Sequence, residues 1–233
     1  MRHGKTVLDG DGFENAVLGL MGLIQNGGSM FRGWIGLVLG LLLGAANAET
    51  PKILILGDSL SAAYGIAQSD GWVALLQTRL NADGFPHRLI NASISGETTR
   101  GGLTRLPKLL AEHRPAVVVI ALGSNDGLRG TPMDVMRAQI DGMIEQSRDA
   151  GARVLLIGNR LPPNYGEPYS DAFQAVFIEL ARDHQLPLVP FMLADIATDD
   201  RLLQADRLHP TAAAEPILRD RIGDAIEALL RSP

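Results

Sequence analysis

The run Ala116-Val117-Val118-Val119-Ile120-Ala121-Leu122 is apolar throughout. A strand with one wet face alternates apolar and polar residues; a strand covered on both faces reads as an unbroken apolar run, the habit of parallel sheets. Upstream, Lys52–Leu56 reads the same way, and downstream so does Arg153–Ile157. Arg88–Ile94 and Leu186–Phe191 are two further strand candidates. Between the strands the apolar residues fall at helical spacing. Trp72, Val73, Leu76 and Leu80 share one face of 71–80, and Leu103–His113 is a second helix. Thr131-Pro132-Met133-Asp134 reads as a helix start, with Thr131 at the cap and Pro132 in the first turn. Met136, Ile140, Met143, Ile144 and Ser147 are its inward stripe, and Gly151 stops it. Asp171–Asp183 is a helix that turns Phe173, Val176, Phe177 and Leu180 inward. A last helix from Glu215-Pro216 to about Leu230 does the same with Leu218, Ile222, Ala225, Ile226 and Leu229. Five strands alternating with helices predict an α/β fold of three layers, α/β/α, around a parallel sheet.

The bulk numbers fit one domain behind a leader. The chain has 233 residues, 46% hydrophobic and 20% charged, enough to bury a full core. Net charge is −5, and Arg2, Lys5 and Arg32 cancel Asp9, Asp11 and Glu14 in residues 1–48. With no basic stripe to neutralise phosphates, a nucleic-acid partner is not expected. Met30 to Ala48 reads as a secretory signal, with Arg32 as the positive end, Trp34–Leu43 as the apolar core and Ala46-Asn47-Ala48 as a small-x-small cleavage site. The apolar run is too short for a membrane anchor. Residues 1–29 belong to no part of such a signal, so either translation starts at Met30 or the leader is unusually long. The mature chain, 49–233, is expected to be a single domain that is periplasmic or secreted and monomeric. There is no cysteine, which removes disulfides and lipidated cysteines and leaves a zinc site only His and carboxylates. No pair of histidines has zinc-ligand spacing.

In an open parallel sheet, ligands bind beyond the carboxyl ends of the strands where strand order reverses. Gly57-Asp58-Ser59-Leu60-Ser61 follows the first strand, Ser95-Gly96-Glu97-Thr98 the second and Gly123-Ser124-Asn125-Asp126-Gly127 the third. With strand order 2-1-3-4-5 these segments become neighbours. Each alone reads as a plain turn, with Asp58 or Ser59 as a helix cap. Together they hold what acyl transfer needs. A serine hydroxyl attacks a carbonyl only when a base takes its proton and a third group holds that base. Ser59 is the candidate nucleophile, His209 the base and Asp206, within Asp206-Arg207-Leu208-His209, the orienting carboxylate. The N–H groups of Ser59 and Gly96 and the side-chain amide of Asn125 are candidate donors to the oxyanion. The other histidines compete poorly: His3 lies in the leader, His87 precedes the second strand, and His113 and His184 sit at helix C-termini. Gly-x-Ser-x-Gly, the P-loop and Gly-x-Gly-x-x-Gly are all absent.

Four blocks of the chain resemble the SGNH (GDSL) hydrolase superfamily: Gly57-Asp58-Ser59-Leu60-Ser61-Ala62-Ala63-Tyr64-Gly65, Asn91-Ala92-Ser93-Ile94-Ser95-Gly96-Glu97-Thr98-Thr99, Gly123-Ser124-Asn125-Asp126-Gly127-Leu128-Arg129-Gly130 and Asp206-Arg207-Leu208-His209-Pro210. Within it the chain is most similar to the exported bacterial thioesterase I / lysophospholipase L1 / arylesterase group, with Leu161-Pro162-Pro163-Asn164-Tyr165-Gly166 as a further likeness. The resemblance implies a flavodoxin-like sheet, a triad of Ser59, Asp206 and His209, Gly96 and Asn125 as oxyanion donors, and hydrolysis of esters and thioesters without a cofactor. Ser124 stands where close relatives often carry Gly. Asp126, Gly127, Leu128, Pro162 and Tyr165 are candidate substrate contacts, in segments after strands three and four able to build an apolar groove. A carbohydrate O-acetylesterase shares the same blocks, and a non-catalytic flavin or phosphate binder uses the same sheet edge; these are the competing readings.

Overall fold

Alternation along the first strand sets the layers. The computed structural model describes residues 50–232, so the secretory signal expected over 30–48 lies outside the described residues. In β1 (Lys52–Gly57), Ile53 and Ile55 face one way and Leu54 and Leu56 the other, and none of the four is exposed. Successive side chains of a strand point to opposite faces, so each face needs its own cover. Ile53 and Ile55 pack with Val117 and Val119 of β3 (Val117–Ala121) under α1 (Trp72–Ala82) and the C-terminal helix Glu215–Arg231. Leu54 and Leu56 pack with Val118 and Ile120 under α2 (Thr99–His113), and under the helices Met133–Asp149 and Glu167–Asp183. The result is a three-layer α/β/α fold. The parallel strands run in the order β2-β1-β3-β4-β5, with β2 spanning Arg88–Asn91, β4 Arg153–Ile157 and β5 Leu188–Val189. Continuing in chain order, Ser124–Leu128 is α3, Met133–Asp149 α4, Glu167–Asp183 α5 and Glu215–Arg231 α6. Among the described residues no helix is long and apolar enough to cross a membrane.

Several boundaries differ from the sequence reading, each for a local reason. β5 has two residues instead of the expected 186–191, because Pro187 and Pro190 flank it and donate no ladder hydrogen bond. β2 stops at Asn91, whose side chain accepts the Ser93 N–H at 3.1 Å and turns the chain out of the strand. α2 begins at Thr99 rather than Leu103, capped by the Thr98 side chain on the Gly101 N–H; Gly101-Gly102, poor helix formers, concealed that first turn. α4 is capped by Pro132, not Thr131, whose N–H donates instead to the Asp126 carbonyl at 2.9 Å. α5 starts four residues before Asp171, at Glu167, with Pro168 in its first turn. The segment read as a turn after β3 is the short helix α3.

One buried carboxyl couples this frame to pH. Glu215, the first residue of α6, accepts the Trp72 N–H at the start of α1 at 2.7 Å and is only 1% exposed. Burial pushes it up to about 7, against the pull of the Trp72 N–H. The fold therefore holds this proton more tightly than the unfolded chain does. The stability it contributes is full below the unfolded value near 4.5 and is lost as pH rises through about 7. Glu215→Gln keeps an acceptor for Trp72 and removes the titration. The variant is expected to gain about 1–2 kcal/mol on the wild type between pH 5 and pH 8. Denaturant melts at the two pH values measure this, and an unchanged difference counts against it.

Candidate active site

The carboxyl ends of β1 and β3 are adjacent, and the segments leaving them face one cavity. After β1 the chain does not enter a helix directly. It makes tight turns, with the Asp58 carbonyl accepting the Ser61 and Ala62 N–H groups at 3.2 and 3.0 Å. Asp58 itself is buried, and its carboxylate accepts the Leu60 N–H at 3.0 Å. That pins the backbone on either side of Ser59 and leaves the Ser59 side chain on the cavity wall. The Asn91 amide adds a tie from β2 to the Ser61 carbonyl at 2.8 Å.

His209 arrives on a hairpin-like loop closed by an antiparallel bridge between Leu203 and Pro210. Its ring is caught between two groups: Nε2 lies 2.8 Å from Ser59 Oγ, and Nδ1 lies 2.6 Å from Asp206 Oδ2. The other carboxylate oxygen of Asp206 accepts the Leu208 and His209 N–H groups at 3.0 and 3.1 Å. Arg207, at φ +59°, takes the left-handed conformation that lets Asp206 fold back onto His209. Burial works against the Asp206 charge, but the Leu208 N–H, the His209 ring and the His209 N–H outweigh it and hold the carboxyl down to about 2. The carboxylate is therefore ionised across the neutral range. With an anion on Nδ1, that nitrogen carries the proton and Nε2 offers its lone pair to Ser59.

The expected oxyanion donors come from three segments. The Asn125 amide, in the first turn of α3, donates to the Glu97 carbonyl at 3.0 Å and reaches Asp58 only at 3.4 Å. This draws the Gly96-Glu97 turn toward the end of β3. Gly96 sits at φ +80°, a backbone state that side chains rarely adopt, and its carbonyl is held by Arg129 at 3.1 Å. Among the described residues, the N–H groups of Ser59 and Gly96 donate to no backbone carbonyl.

A cavity of about 620 Å³ opens beside Ser59 and His209, with Leu60, Leu128, Leu161, Pro162, Phe191 and Leu193 among its apolar lining. Two of the expected substrate contacts, Leu128 and Pro162, line it. The other three, Asp126, Gly127 and Tyr165, do not, and each serves the fold instead. Asp126 is buried and accepts the Thr99 N–H and hydroxyl at 2.8 and 2.7 Å, anchoring α3 to the start of α2. Gly127 is packed so closely that a Cβ there meets Leu161 and Phe173 at 2.7 Å. Tyr165 donates its hydroxyl to the Leu128 carbonyl at 3.1 Å, and Tyr169 does the same to the Gly127 carbonyl at 2.9 Å.

Asp58 has a larger part than the cap expected from sequence. Burial pushes its carboxyl up to about 6, against the Leu60 N–H, the Ser124 hydroxyl and the charge of His209. The Ser124 hydroxyl in turn accepts the Asn159 amide at 2.8 Å, giving a polar chain behind the nucleophile. Nothing in the local sequence marks Asp58 as buried, because the side chains that meet it, Ser124 and Asn125, come from α3.

The chain matches the GDSL-like Lipase/Acylhydrolase family over residues 55–215. It is 47% identical to the esterase TesA of Pseudomonas aeruginosa over 192 residues, 82% of this chain and 96% of that protein. It is 36% identical to thioesterase 1/protease 1/lysophospholipase L1 of Escherichia coli K12 over 207 residues, 89% of this chain and 98% of that one. The solved structure of the psychrotrophic esterase EstA from Pseudoalteromonas sp., inhibited by monoethylphosphonate, is 45% identical, with a TM-score of 0.75 over 78% of this chain and 99% of that one. With its strand order and the match over residues 55–215, the chain belongs to the GDSL-like lipase/acylhydrolase family.

Proposed function

We propose that the chain is a serine hydrolase of carboxylic esters and thioesters in which Ser59 is the nucleophile, His209 the general base and Asp206 its orienting carboxylate. The observation that carries the reading is the unbroken contact from Asp206 Oδ2 through the His209 ring to Ser59 Oγ, at 2.6 and 2.8 Å, on the wall of an apolar cavity. Nε2 takes the Ser59 proton as Oγ attacks the carbonyl carbon. The oxyanion that forms meets the N–H groups of Ser59 and Gly96 and the Asn125 amide, which gives up its long 3.4 Å contact with Asp58 to do so; donors of this kind are worth roughly 3–4 kcal/mol each. Collapse breaks the bond to the alcohol or thiol, which leaves with the proton from His209. Water then gives a proton to Nε2 as it attacks the acyl-enzyme, and that proton passes to Ser59 Oγ as the acid leaves. Residues 49–233 act as one catalytic domain without a cofactor, as a monomer, and the signal pattern at 30–48 directs the chain to the periplasm or beyond.

The lining favours acyl chains over sugar-borne acetyl groups. Each methylene buried in an apolar wall is worth up to about 0.8 kcal/mol. Even a quarter of that over the six methylenes separating octanoyl from acetyl gives roughly tenfold. The expected result is a kcat/KM for p-nitrophenyl octanoate at least about tenfold above that for the acetate, with acyl-CoA thioesters and lysophospholipids also cleaved. A preference for acetylated sugars favours the O-acetylesterase reading. Failure of a fluorophosphonate to label the chain stoichiometrically, with tight flavin or phosphate binding, favours a non-catalytic binder.

A further inference from the structure

Ser59 and His209 sit on two loops about 150 positions apart in the chain, and both residues lie outside helices and strands. A second hydrogen bond crosses between the same loops. The Gln204 side-chain amide donates to the Tyr64 carbonyl, five residues after Ser59, and to the Pro210 carbonyl, next to His209, both at 2.8 Å. The Gln204 backbone closes the His209 loop from inside, donating its N–H to the His209 carbonyl at 2.7 Å and accepting the Arg207 N–H at 2.9 Å. Tyr64, held by this amide, lays its ring against the His209 imidazole with centroids 4.5 Å apart and planes tilted by 39°. On the other side of the amide, Gly65 lies so close that a Cβ there stands 2.3 Å from Gln204 Oε1.

Resting on the reading of Ser59 and His209 given above, we propose that Gln204 is a positioning residue whose side-chain amide clamps the Ser59 turn to the His209 loop, keeping the imidazole on the hydroxyl. The chemistry fits glutamine in particular. Both partners are carbonyl oxygens, so the group between them must supply two donors and no charge of like sign. An amide nitrogen does this; a carboxylate of the same shape puts lone pairs against lone pairs. Gln204 touches no reacting atom. Gln204 itself does not line the cavity, so its main effect is expected through the Ser59–His209 distance, on which proton transfer depends steeply.

The test uses the full chain with p-nitrophenyl octanoate. Gln204→Met, similar in length but without donors, is expected to lower kcat 10- to 100-fold with KM within about threefold, and to slow inactivation by a fluorophosphonate in step. Gly65→Ala, which keeps the glutamine but at φ +76° both strains the backbone and pushes a Cβ against the Gln204 amide, is expected to lower kcat in the same way. A Gln204→Met kcat within twofold of wild type overturns the proposal, as does a rise in KM at constant kcat. If Gln204→Met does not fold, Gly65→Ala decides, and full kcat in that variant overturns it. The underlying reading fails differently, by hydrolysis persisting in a Ser59→Ala chain.

Discussion

Ser59→Ala is expected to lower kcat for p-nitrophenyl esters by about 10⁴- to 10⁶-fold while the protein stays folded. The range reflects serine hydrolases in general, where loss of the nucleophile leaves only binding and oxyanion stabilisation, together a residual 10³–10⁴ over water. Nothing nearby replaces the lost hydroxyl. Ser61 is 3% exposed and turned from the cavity, and Asp58 is buried with its carboxylate on the Leu60 N–H. Stability should hardly change, because Ser59 Oγ gives up one hydrogen bond, to His209, at a net cost of about 1 kcal/mol. The check is twofold: steady-state turnover, and covalent labelling by a fluorophosphonate followed by mass spectrometry. A variant that keeps more than a tenth of wild-type turnover, or is still labelled, removes Ser59 from its role.

How much of this was legible in the sequence depends on what set each feature. β1, β3 and β4 read clearly because helices cover both of their faces, which leaves uninterrupted apolar runs. The inward stripe of α4 read correctly to the residue, because Met136, Ile140, Met143, Ile144 and Ser147 answer to helical geometry alone. Ser59, Asn125 and His209 could be placed by position, each just past a strand or ahead of the last helix at one end of the sheet. What escaped was decided by partners far along the chain. Asp126 read as a turn residue and candidate substrate contact, and only the Thr99 N–H and hydroxyl make it an anchor. Gly127 read as a turn glycine and candidate substrate contact, yet the Phe173 and Leu161 side chains leave no room for a Cβ. Gln204 carries no motif, and its clamp exists only once Tyr64 lies beside it. Patterns of period report burial; they are silent on which polar group meets which.

Asp206→Asn is the second large expected effect, and it should be at least as damaging as Asp206→Ala. In the wild type, Asp206 Oδ1 accepts two backbone N–H groups, from Leu208 and His209, while Oδ2 faces His209 Nδ1 at 2.6 Å. An asparagine must keep its oxygen on the two backbone donors, because turning its NH₂ there sets donor against donor. The NH₂ then points at Nδ1, which has to accept. The ring proton moves to Nε2, which meets Ser59 as a donor and no longer as a base. Alanine removes the anion without imposing that tautomer, since water enters a site whose carboxylate is already 39% exposed. Wrong-tautomer substitutions in buried triads cost about 10⁴ in kcat; with solvent this near, about 10²- to 10³-fold is expected for Asn, and no more than that for Ala. The wild-type carboxyl, held down to about 2, stays ionised throughout the working range and sets no acid limb. Both variants are measured by kcat across pH 5–9. Asparagine retaining more activity than alanine rules out the wrong-tautomer account, since both variants lack the charge and only asparagine imposes the tautomer.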